Sequence, residues 1–107
     1  MSLTDGSPEQ KKAAFWIACM DAQVWEMREC AAKNDFDHFL VEMADCMGVA
    51  LDGIRLLSGK DAMQVFLTRF AQNLSKFTPD ALERAPRDTD WYLAKIATIK
   101  ARLELNE

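Results

Sequence analysis

The chain has 107 residues, 50% of them apolar, and a formal charge of −4, the balance of one globular domain rather than of a disordered or collagen-like segment. Its 17 acids against 13 bases oppose nucleic acid as a partner, because proteins that hold a phosphate backbone carry a basic face. No apolar run approaches the roughly 18 residues of a membrane span, and no charged-then-apolar leader opens the chain. The reading is a cytoplasmic protein that engages no membrane.

Residues 1–7, "MSLTDGS", lack periodicity and read as a flexible N-terminal tail ahead of a single helical domain over 8–107. The domain opens at "SPEQ". Ser7 suits a helix cap, Pro8 the first helical position, and Gln10 completes a capping box. The first helix is expected to run to about Lys33, where Asn34 and Asp35 compete for backbone hydrogen bonds and interrupt it.

A second helix restarts at "DFDHFL", with Phe36, Leu40, Met43, Met47, Ala50, Ile54 and Leu57 spaced three and four apart as one apolar stripe. Gly59 suits the left-handed residue after that helix, and Ser58 or Asp61 the cap of the next. The third helix carries Met63, Phe66, Leu67, Phe70, Leu74 and Phe77. Thr78 and Pro79 then start a short helix that Pro86 stops, and Asp88 or Thr89 opens a last one bearing Tyr92, Ile96, Ile99 and Leu103. The expected fold is all-α: a helical bundle of four main helices plus one short helix, completed by homodimerisation.

Helix 1 is unusual. Ala13, Ile17, Met20, Val24, Met27 and Ala31 form an ordinary core stripe at about 100° per residue. Phe15, Ala18, Ala22 and Trp25 repeat the same spacing on roughly the opposite face, with Trp16, Cys19 and Cys30 between. A rod of this length, roughly 39 Å, exceeds what a 107-residue chain wraps on both sides, given a radius of gyration of about 13 Å. The second stripe is covered by the later helices, by another copy of the chain or by a partner protein. Phe15, Trp16, Cys19, Ala22 and Trp25 are therefore the candidate partner-binding or dimer-interface residues.

Chemistry-bearing residues are sparse. Cys19, Cys30 and Cys46 cannot all pair and lack zinc-site spacing, so they read as reduced packing residues. His38, Glu42 and Asp45 stand a turn apart, but a single His without matching carboxylates on facing helices makes no metal centre. Cys46 lies on the side of helix 2 away from His38, so no nucleophile and base are poised. No catalytic residue, metal or cofactor is assigned, and an enzyme is not expected. The glycines inside helix 2, Gly48 and Gly53, cost about 1 kcal/mol each against Ala and point to a close helix contact or a bend.

A small, acidic, all-helical chain without a catalytic set, bearing the stripe "FWIACMDAQVW", resembles the bacterial antiactivators of the QslA kind and, more distantly, TraM. Such proteins bind a transcription activator and disable it. The resemblance implies transcription regulation in quorum sensing, by a homodimer that occupies the activator's own dimerisation surface. The competing class is a structural or assembly module of the phage or secretion-system type acting through homodimerisation. A small RNA-binding hairpin is the third class, and the acidic charge opposes it.

Overall fold

The helix starts and stops follow the capping chemistry of the sequence. Ser7 Oγ accepts the Gln10 N–H at 3.1 Å and Gln10 Oε1 accepts the Ser7 N–H at 2.7 Å, a reciprocal capping box that opens α1, Pro8–Ala32. Asn34 takes a positive φ of 57°, which its short amide side chain tolerates, and Asp35 accepts the His38 N–H at 3.2 Å to open α2, Phe36–Ser58. Gly59, at φ 71°, ends α2 in the left-handed region and donates to the Arg55 carbonyl at 2.9 Å. Asp61 then accepts the Gln64 N–H at 3.0 Å and α3 runs Ala62–Arg69.

This computed structural model describes residues 3–74 and 77–105; among them are four α-helices and no strand, so the fold is all-α. The chain divides into two units, one over Leu3–Thr68 and one from Arg69 onward. Ahead of α1, Leu3–Asp5 form one 3-10 turn that packs on it, and Gly6 and Ser7 lead from it into the helix; the expected tail's Met1 and Ser2 lie outside the described residues.

The later unit departs from the expected pattern. After α3 the backbone widens into a π turn over Phe70–Leu74. The expected continuation of that helix to Phe77 crosses residues 75 and 76, which, like the side chain of Leu74, lie outside the described residues. The helix that follows, α4, runs unbroken over Ala81–Leu105 with Pro86 inside it, where a short helix and a separate last helix were expected. Proline removes one backbone donor and crowds the preceding turn, yet it falls in the second turn, beside the exposed Leu82. Arg84 ties that turn together, reaching Asp80 at 2.6 Å and Asp88 at 3.6 Å.

In the first unit α1 and α2 form an antiparallel hairpin. Gly53 sets its register: a Cβ there would lie 3.3 Å from the Trp16 indole, so the absent side chain is the space the indole fills. From this contact the facing residues follow at alternating intervals of three and four. They are Trp16, Met20, Gln23, Met27 and Cys30 on α1, against Phe39, Glu42, Cys46, Val49 and Gly53 on α2. Cys30, Glu42 and Gly53 are buried, and the others of the set are half-buried except Met20, which is 36% exposed.

The buried stripe of α1 is thus rotated by about 60° from the aliphatic one. Trp16, Gln23 and Cys30 take the places expected of Ile17, Val24 and Ala31. Of the expected α2 stripe, Phe36, Leu40, Met43, Met47 and Leu57 are exposed, and Ala50 and Ile54 are half-buried. The pairing interface therefore holds a glutamine and a glutamate, while strong apolar residues stand outside it.

The two helix glycines are expected to respond oppositely. Beyond its own stretch of helix, no heavy atom of the described residues lies within 4 Å of a Cβ at Gly48, so Gly48→Ala should gain about 1 kcal/mol of helix propensity. Gly53→Ala should lose that gain to the indole, and Gly53→Val should cost about 2 kcal/mol by overpacking. Urea unfolding of the three variants checks the order, and stabilisation by Gly53→Val would show that the Trp16 contact does not set the register.

Candidate functional site

Of the sequence-predicted site residues, the hairpin leaves Phe15, Ala22 and Trp25 in solvent and turns Trp16 and Cys19 inward. Phe15 and Trp25 are each 62% exposed, and Ala18 and Ala22 between them are exposed as well. Positions 15, 18, 22 and 25 follow the three-four spacing, so these four side chains form one row about 15 Å long on α1. Trp16 is half-buried against Gly53 and holds Phe15 edge-to-face, with ring centroids 5.6 Å apart at 83°. Cys19 is half-buried.

Both exposed aromatics are thereby pre-set. Phe15 leans on a ring anchored in the hairpin, and the Arg28 guanidinium lies 4.3 Å above the Trp25 ring. Such a cation is attracted to the indole face and favours this placement of the ring. Aromatic and arginine side chains of this kind dominate the energetics of protein interfaces. What the row can do chemically is bind an apolar surface; it holds no nucleophile or base.

A different set of residues gathers near the hairpin loop. Glu26, Glu29, Cys30, Lys33, Asp35, His38 and Glu42 line a cleft of about 320 Å³. His38 Nε2 stands 3.1 Å from Glu42 Oε1, and its Nδ1 stands 3.7 Å from Asp35. Among the described residues no group of three or more His, Cys, Asp or Glu side chains is arranged to hold a metal ion. Burial pushes the Cys30 thiol up, helped by the nearby Glu42, Asp35 and Glu29 carboxylates, which keeps it protonated and a weak nucleophile at neutral pH.

Glu42 is the polar residue that spacing alone did not mark as buried. Its carboxyl is held above the usual range, first by a hydrogen bond with the Glu26 carboxyl, then by desolvation and by the charges of Glu26 and Asp45, with His38 opposing. When both carboxyls are ionised neither can donate, and among the described residues Glu42 Oε2 is buried without a partner. A proton on the pair turns the repulsion into a hydrogen bond.

On the α2 side of the hairpin, Trp16, Met20, Ala50, Gly53, Ile54 and Leu57 line an apolar groove of about 430 Å³, to which Val65 of α3 contributes. In the later unit, Phe77, Pro79, Leu82, Ala85 and Tyr92 line a groove of about 510 Å³, and the Lys95 ammonium lies 5.5 Å over the Trp91 ring. No helix among the described residues is long and apolar enough to cross a membrane.

Compared with known protein families, curated proteins and solved structures, the chain matches none. The functional reading therefore stands on these surfaces.

The carboxyl pair gives a signed expectation for pH. Between the ordinary carboxylate pKa and the raised one of Glu42, the folded chain binds more protons than the unfolded chain, so this group lowers stability as pH rises through that window. Glu42→Gln supplies a permanent donor to Glu26 and is expected to raise stability at neutral pH and flatten that part of the pH dependence. Urea unfolding across about pH 4 to 7 measures it; a variant less stable than the parent at pH 7, with an unchanged slope, would refute the shared proton.

Proposed function

We propose that this chain is a non-enzymatic regulatory protein that inhibits a partner by masking an apolar surface, as an antiactivator of a dimeric transcription activator of the quorum-sensing type. The observation that carries this reading is the pre-set row of Phe15, Ala18, Ala22 and Trp25, apolar and exposed on a helix whose other side is engaged in the hairpin. An unpaired apolar row of this length on a rigid helix fits a groove or a matching helix on another protein. The net charge of −4 fits a protein that acts on the activator and not on DNA.

The mechanism involves no bond-making. An activator that binds DNA as a dimer buries an apolar subunit contact; occupying that contact with α1 removes the dimer and with it the paired DNA-reading elements. Glu29 beside the row stays at the rim, where charges steer association more than they hold it.

Purified activators of this class can be titrated with the chain while dimer mass and DNA binding are followed together. The chain is expected to abolish both in parallel. Phe15→Ala and Trp25→Ala should each weaken binding by about 2 kcal/mol, roughly thirtyfold, with Glu29→Ala near neutral. Full inhibition by a folded variant lacking both aromatics would assign the inhibitory surface elsewhere, and recovery of the chain in a stable stoichiometric assembly with structural proteins would favour the assembly-module class.

A further inference from the structure

The hairpin register brings the displaced stripes of α1 and α2 together. Helical geometry places Ile17 and Val24 a turn to either side of Met20, and Met47, Met43 and Leu40 in successive turns from Ala50 and Ile54. Met20, Ala50 and Ile54 line one groove, so the two rows share a single flank of the hairpin. It is neither the flank of the carboxyl cluster nor the outer row of Phe15 and Trp25. Ile17, Met20, Phe36, Leu40, Met43 and Met47 are all exposed there.

We infer that this flank is the interface with a second copy of the chain, packed face to face about a two-fold axis to close a four-helix bundle. Two observations select that occupant. From their fractional exposures, the six side chains present on the order of 650 Å² of surface, most of the about 800 Å² that each partner of a stable interface contributes. The second is charge. Asp21 and Arg28 are both exposed and stand seven residues apart on the outer edge of α1, bordering the flank, about 10 Å from each other along the axis. That spacing is too long for them to pair within one helix. With the α1 helices antiparallel across the axis, Asp21 meets Arg28 of the second copy and Arg28 meets its Asp21, so one surface complements itself twice. A second hairpin also matches the flank in length by identity.

This inference does not rest on the partner-masking reading: Phe15 and Trp25 stay outside the two-fold contact, and Arg28, which also lies over the Trp25 ring, is the one residue the two surfaces share. Sedimentation equilibrium of the full chain at micromolar concentration is expected to give twice 12.1 kDa. Met43→Glu should raise the dimer Kd by about a hundredfold or more, a charge being left in a desolvated apolar contact. Asp21→Arg and Arg28→Asp should each raise it about tenfold, since each acts twice, and the double variant should restore it to within about twofold. These edge positions are exposed, so the charge set remains readable even where Met43→Glu loses helical circular dichroism. Phe15→Ala should leave the dimer mass unchanged, which separates this test from that of partner binding. A monomeric parent, a folded Met43→Glu variant with unchanged mass, or a double charge variant no better than the single ones would each overturn the proposal.

Discussion

Everything else in the first unit depends on one contact, the Trp16 indole seated over Gly53. A Cβ at position 53 would lie 3.3 Å from the indole, closer than an ordinary contact, and glycine leaves that room by having no side chain. Once that pair is made, antiparallel geometry assigns every other facing position. Gln23, Glu42, Cys30 and Cys46 are carried inward, and the aliphatic rows of both helices are carried to the flank.

The energetic consequence is a hairpin with a thin core and a rich exterior. Among the described residues Cys30 is its buried apolar side chain, and Glu42 and Gln23 each hold a buried oxygen with no partner there, an arrangement that costs stability unless a proton or another donor satisfies it. Burying one large apolar side chain contributes about 1.5–3 kcal/mol, so the exposed rows hold most of the stabilisation still to be gained. The proposed two-fold bundle would collect it on one side of α1 while leaving Phe15 and Trp25 for a partner. Two surfaces on separate sides of one helix would let the proposed self-association and the proposed inhibition coexist.

The helix boundaries were legible because they are local chemistry. Ser7, Pro8 and Gln10 opened α1, Asn34 and Asp35 broke it, Gly59 ended α2 and Asp61 capped α3, each through hydrogen bonds within a few residues. The rotation of each helix was not legible, because both stripes of α1 share the three-four period and spacing cannot rank them. Residue type favoured Ile17, Val24 and Ala31, and the tertiary contact chose Trp16, Gln23 and Cys30. Gly53 inside a helix was the available signal, read as a close approach without its occupant. Spacing set Phe15, Ala22 and Trp25 on a second stripe without saying what covers it; in the hairpin these three are exposed, whereas Trp16 and Cys19, lying between the stripes, are half-buried. Pro86 misled in the other direction: its cost falls on one turn near the helix start, and the long α4 absorbs it.

If a second copy completes the thin hairpin, folding and association are linked. If the folded state is the dimer, stability includes the concentration of chain, and a hundredfold increase adds about 2.7 kcal/mol per mole of dimer. The urea midpoint of the full chain, followed by far-ultraviolet circular dichroism over such a range, is expected to rise with protein concentration. A midpoint that stays the same across that range would show a hairpin stable alone and would rule out the two-fold bundle.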